Sequence, residues 1–234
     1  CRARTSYRDP MIRAAVFYVT GLVALALFGC EVCPFLSSLG HRSFAIVLGV
    51  ALFGAFCLRA PLEHRFVLRR PPLERVRAQF QLDFGLFILS GLALTVFDLV
   101  AYGFPVSSGL RATLGCATIG FFVGVDAALV RERLVFAELS ALELQPEGRR
   151  SLSYSRKFLA VAIAILVLLS ADLFLLAARD LATTAGQREL ALETGVALLV
   201  MFALTVNAVV GFSRNLALVL EGQNQALAAV ATGK

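Results

Sequence analysis

The chain has 234 residues, 59% of them hydrophobic and 16% charged, with a mean hydropathy of +0.80 and a net charge of +6. A soluble domain averages about 45–50% apolar and about 25% charged residues, so this composition excludes a water-soluble Rossmann or barrel enzyme, a nucleic-acid reader and a disulfide-stapled secreted module. At about 20 residues per crossing, the apolar material serves about six membrane helices in one integral membrane domain. The sequence starts at Cys1 and stops at Lys234 within a helical pattern, so it is expected to be a segment of a longer polypeptide.

Taken in chain order, residues 11–30 form the first apolar run, preceded by Arg2, Arg4, Arg8 and Arg13. It lacks a small-residue cleavage pattern and reads as a permanent anchor rather than a signal peptide. Residues 43–58 are short for a span and rely on their flanks. Residues 81–104, 110–130, 157–178 and 191–212 are each long enough to cross. The expected fold is all-α: six transmembrane helices in three hairpins, with tight turns over 31–42, 105–109 and 179–189.

Charge fixes the expected orientation. Of the 22 Lys and Arg residues, only Arg42, Arg111, Arg179 and Arg188 fall on the side of those tight turns; the other 18 lie on the side of the N-terminus. By the positive-inside rule, both termini are cytoplasmic, which an even number of spans requires. The implied location is a bacterial inner membrane, crossed several times. On the cytoplasmic side, Leu73, Val76 and Phe80 recur at helical spacing after Pro71 and Pro72, which predicts an interfacial helix feeding helix three. Leu134, Val135, Leu139, Leu142 and Leu144 carry helix four past the membrane face as far as Pro146. Both stretches suit a surface lying on anionic lipid.

Ionisable residues inside spans are costly and point to function. Asp98, Arg111, Asp172 and Glu193 fall at the outer ends of helices three to six and are the candidate ligand-sensing residues, with an Arg–Asp pair neutralising charge between them. The alternative is a structural ion pair or snorkelling at helix ends. Asp126 is expected to pair with Arg131 or Arg133 near the inner end of helix four. Asn207, in helix six, reads as packing glue on the route of signal transmission.

Cys30 and Cys33 form a Cys-x-x-Cys at the outer end of helix one, open to three readings: a disulfide, a redox couple or half a metal site. The pair resembles the first periplasmic cysteine pair of membrane quinone-linked disulfide-forming proteins, but the second pair those proteins need has no counterpart, since Cys57 and Cys116 lie within spans. The sequence offers no phosphate loop, no HExxH, no serine paired with a base, and no facing histidines for haem. No catalytic residue, metal or cofactor is assigned to it.

The exit from helix six carries the clearest pattern. Leu216, Leu220, Gln223, Leu227 and Val230 follow the 4-3-4-3 spacing of a coiled-coil seam, which implies a second copy of the chain and a helix able to transmit rotation or displacement. The closing Leu227-Ala228-Ala229-Val230-Ala231-Thr232-Gly233 resembles the end of the first helix of a HAMP signalling module. With six spans, the chain resembles the membrane region of a bacterial class III adenylyl or guanylyl cyclase, with a sensor histidine kinase as the nearest alternative. The resemblance implies a membrane domain over 1–212, a cytoplasmic signalling helix over 213–234, and a catalytic domain of the same chain that uses ATP or GTP with magnesium. The expected partners are lipid, a second copy and that output domain, and not nucleic acid. The rival readings are a quinone-linked thiol oxidoreductase using Cys30 and Cys33, and a small-molecule transporter.

Overall fold

In the computed structural model, residues 8–32, 40–141, 154–182, 195 and 198–217 are described. All regular structure among them is helical: α1 (Arg8–Val32), α2 (His41–Leu62), α3 (Pro72–Tyr102), α4 (Val106–Ala141), α5 (Tyr154–Ala182) and α6 (Leu198–Ala217). Four stretches are long and apolar enough to cross a membrane: Arg42–Val67, Glu74–Tyr102, Ser108–Glu138 and Leu198–Ala217. Met11–Ala26 and Leu159–Ala171 are shorter apolar stretches.

Local chemistry sets the helix ends. Pro72 occupies the first turn of α3, where its missing N–H costs nothing, after Pro71 in an extended conformation. Gly103 ends α3 with φ 65°, and its N–H donates to the carbonyls of Asp98 and Leu99. A left-handed residue at a helix end is most easily supplied by glycine. Phe104 and Pro105 complete the turn into α4.

Two sequence expectations are corrected here. The short second span, expected over 43–58, runs from His41 through Leu62 and on into a π-turn over Glu63–Val67. Pro61 lies just before that turn; proline removes a backbone donor, and the following turn is wide, with the Leu68 N–H donating to the Glu63 carbonyl at 3.0 Å. The interfacial helix expected before helix three is not separate, because α3 continues unbroken for 31 residues from Pro72. Helix four does extend beyond residue 130, to Ala141, as its amphipathic pattern predicts. Its 36 residues span about 54 Å at 1.5 Å per residue.

α4 is the hub. Two-thirds (67%) of its apolar window is buried, against 22–33% for the other three long apolar helices. On one side, Cys116, Ile119 and Val123 join Tyr18 and Leu25 of α1, Leu48 and Leu52 of α2, and Leu86, Phe87 and Leu94 of α3. On the other, Phe121, Phe122, Val125 and Leu129 meet Met201, Ala208 and Phe212 of α6, with Val161, Ile165 and Leu168 of α5 packed against them. α3 and α4 lie close because small residues alternate with large ones: a Cβ on Gly120 would come within 2.3 Å of Phe87 Cβ. The Thr95 hydroxyl is 2.9 Å from that of Thr113 and 2.8 Å from the Gly109 carbonyl. Close helix approach through small residues and hydroxyl hydrogen bonds is how apolar helices associate in lipid.

The outside is apolar. Val100, Phe174, Phe53, Val50 and Leu199 are each more than two-thirds exposed, among some thirty large apolar side chains that no part of the bundle covers. A soluble monomer does not leave so many large apolar side chains to water, whereas lipid solvates them at no cost.

Candidate functional site

Apart from Asp98, near the far end of α3, the charged side chains that the bundle buries are gathered at one end, where α1 and α3 begin and α2 ends. Arg59 of α2 donates from Nε to Asp83 Oδ1 at 2.6 Å and from Nη1 to Glu63 Oε2 at 2.8 Å. Gln79 Nε2 donates to Asp83 Oδ2 at 2.7 Å. Arg131 of α4 reaches across with Nη2, to Glu63 Oε1 and to Gln79 Oε1. Beside this group, Arg13 of α1 grips Asp126 of α4 in a two-pronged pair, Nε to Oδ2 at 2.9 Å and Nη2 to Oδ1 at 2.6 Å.

Three guanidinium groups thus balance three carboxylates across four helices. Asp83 is fully buried, and the Arg59 and Glu63 side chains are 9% and 8% exposed. Such charges survive burial only when paired and hydrogen-bonded, and here each is. Charge-assisted two-pronged pairs also fix orientation as well as distance. Arg13, Phe17, Arg59, Asp83, Asp126 and Arg131 are among the residues that line a cavity of about 30 Å³ between the two groups, room for about two waters. The arrangement is a clasp with no net charge rather than a pocket shaped for a ligand.

The next residues of α4 point the other way. Asn215 of α6, 2% exposed, donates from Nδ2 to the Leu129 carbonyl at 3.1 Å and to Glu132 Oε2 at 3.0 Å. Its Oδ1 accepts from Arg133 Nε, and Arg133 Nη2 also reaches the Gly211 carbonyl at 3.4 Å. Arg131 therefore holds the clasp, and Glu132 and Arg133 hold α6. One turn of α4 touches both.

The sequence-derived candidates fare differently. Asp98 is 3% exposed, and its Oδ2 has no hydrogen-bond partner. Arg111 is half-buried and makes no ion pair with Asp98. Asp172, the other aspartate of the expected cluster, belongs to α5, but its side chain lies outside the described residues, as does Glu193. Asp126 does not pair with Arg131 or Arg133 but with Arg13, 113 positions away. Asn207 is half-buried, while the polar tie between α6 and α4 belongs to Asn215. Leu216 is 42% exposed. Leu220, Gln223, Leu227, Val230 and Cys33 lie outside the described residues, as does the side chain of Cys30. Among the described residues no three metal-ligating side chains come together.

The orphan oxygen of Asp98 has a measurable consequence. Replacing a buried polar group that lacks its partner by an apolar one of similar size is neutral or stabilising. Asp98→Leu is therefore expected to leave the thermal midpoint in detergent unchanged or to raise it, while Asp83→Leu lowers it. Equal losses from the two would contradict the assignment of Asp83, and not Asp98, to the structural network.

Sequence reasoning missed Arg59, Glu63, Gln79, Asp83 and Asn215. Arg59 and Arg131 read as loop charges of the positive-inside kind because the spans of helices two and four were expected to stop at residues 58 and 130. Asp83 carried a usable signal: an acidic residue three positions into an apolar run is costly in a span.

A helical bundle with an apolar exterior, whose buried charges other than Asp98 are paired internally, is a membrane-associated domain. Residues 17–203 match the family model MASE10, and the chain belongs to this family of membrane-associated sensor domains found in c-di-GMP signalling proteins. The chain is also 26% identical over 242 aligned residues to a cyclic di-GMP phosphodiesterase of Vibrio cholerae serotype O1. That match covers 98% of this chain and 47% of the relative, so the chain spans about half of the relative's length. No solved structure matches it.

Proposed function

We propose that this chain is the membrane sensor half of a c-di-GMP signalling protein and that α6 carries the state of the bundle to a cytoplasmic output domain. The observation that carries the reading is the Asn215 tie: the helix leading to the C-terminus is hydrogen-bonded to the same turn of α4 that closes the charged clasp. A shift at the clasp moves Arg131, and Glu132 and Arg133 follow on the same rigid helix. The match to a phosphodiesterase over about half of its length supports an output in c-di-GMP turnover, in place of the cyclase with ATP or GTP and magnesium expected from the resemblance at residues 227–233. Six spans, cytoplasmic termini and a bacterial inner membrane fit the charge distribution and are part of the same proposal. Asp98, Arg111, Asp172 and Glu193 remain the proposed sensing residues, and a ligand there acts only through its differential affinity for two arrangements.

The test replaces the aligned portion of the Vibrio cholerae phosphodiesterase with this chain and measures c-di-GMP hydrolysis in membrane vesicles. Asn215→Leu is expected to change the rate several-fold. A two-residue insertion after Ala217, which turns the exit by about 200° at 3.6 residues per turn, is expected to do the same without touching the bundle. Identical rates for all three chimeras would leave the chain an anchor and overturn the reading.

A further inference from the structure

The face of α6 turned away from α4 has its own order. Met201, Leu204, Ala208, Phe212 and Asn215 form the stripe that meets the bundle. About a third of a turn round the helix, Leu199, Phe202, Val206, Val209, Ser213 and Leu216 follow each other at spacings of 3, 4, 3, 4 and 3, and all are exposed. Leu199 and Phe202 are 68% and 67% exposed. Extended at the same spacing, this series runs through Leu220, Gln223, Leu227 and Val230, the sequence's own seam. In the sequence, one 3-4 repeat therefore continues from residue 199 to residue 230, through an apolar and then a more polar stretch, of which the part up to Ala217 lies within α6.

We infer that this seam is the docking surface for a second copy of the chain, α6 against α6 in parallel. Lipid covers an apolar face within a bilayer, but from residue 213 onward the seam is set among Arg214, Asn215, Glu221, Asn224 and Gln225, a composition that belongs in water. A strict repeat of 3.5 residues bends a helix pair into a left-handed supercoil and keeps the same residues facing the partner. A parallel second copy sets each seam residue against its own counterpart, the self-complementary arrangement of a two-fold pair. It also lets Gln223 meet Gln223, the single polar seam position that fixes register in such coils. The bundle presets the rotation, because Asn215 holds α6 with Ser213 and Leu216 facing outward. The inference holds whatever the output domain does.

Single cysteines in a background without the five native ones, oxidised in native membranes, read the surface directly. Cysteines at Val206, Val209 and Ser213 are expected to give several-fold more dimer than cysteines at Leu166 and Phe174, which are more exposed than Val206 and Val209 but lie on α5; a cysteine at the buried Ala208 should give none. Two differently tagged copies of the unaltered chain are expected to co-purify from one membrane, a readout that holds if the cysteine-free variant fails to fold. Uniform crosslinking at all exposed sites, adducts with a mass other than twice the chain, or tagged copies that do not co-purify would each overturn it. None of these readouts depends on c-di-GMP hydrolysis, so failure here and failure of the proposed output are separable.

Discussion

Arg59→Met is expected to destabilise the bundle by about 3–5 kcal/mol, the usual loss when one partner of a buried ion pair is removed. The substitution keeps the apolar stem of the side chain but leaves the fully buried Asp83 carboxylate with Gln79 as its one remaining donor among the contacts described above, and leaves Glu63 to Arg131 alone. The expected readout is a large fall in the thermal midpoint of the purified protein in detergent, with a matching fall in the denaturant needed to unfold it. Adding Asp83→Leu should recover part of the loss, because residues in one network are not additive and the second change removes the stranded charge. Arg13→Met should cost less: the Arg13 side chain is 35% exposed, so water reaches this edge of the network and partly screens what is left behind. A midpoint unmoved by Arg59→Met would show that the clasp holds nothing together.

The legible part of the fold was the part governed by hydrophobicity summed over many residues. Apolar runs marked where the described helices lie, four of them long and apolar enough to cross a membrane, and the pattern after residue 130 placed the extension of α4. The misread boundaries lay where a polar residue interrupts an apolar run. Arg59 seemed to end helix two, yet it is buried because Asp83 and Glu63, on separate turns and elements, neutralise it there. The Arg59–Glu63 pair is an i,i+4 neighbour that the sequence could have shown, but the pairing of Arg59 with Asp83, 24 positions away, is a property of the assembled bundle. The same holds for Asp126. Its nearest cations along α4 are Arg131 and Arg133, but these face Glu63 and Asn215, and the guanidinium that meets it comes from α1. Asp98 and Arg111 were legible as polar positions within apolar runs, and they are buried and half-buried, though they do not pair. The tie at Asn215 was hidden for a different reason: an asparagine just past the end of an expected span reads as ordinary surface.

The placement of the clasp and the Asn215 tie on successive residues of α4 matters only if α4 moves as one body with α3, and the glycines between these helices decide that. A Cβ at Gly91 would lie 2.8 Å from the Thr113 Cα, a backbone atom that cannot turn aside, and 3.0 Å from Cys116 Cβ. Gly91→Val therefore forces the two helix axes apart, pulling the Thr95 hydroxyl from Thr113 and Gly109 one turn further along and opening the core around Cys116. Overpacking in a filled interior costs about 1–3 kcal/mol when side chains can shift, and here backbone must shift, so the loss is expected at or above the top of that range. Gly85, on the same helix with nothing within 4 Å of its missing Cβ, supplies the control: Gly85→Ala is expected to be neutral or stabilising by up to about 1 kcal/mol, the difference in helix propensity. Thermal unfolding of the two variants in the same detergent separates them. Equal midpoints would mean that α3 and α4 tolerate sliding, and a rigid coupling through residues 131–133 would then have no foundation.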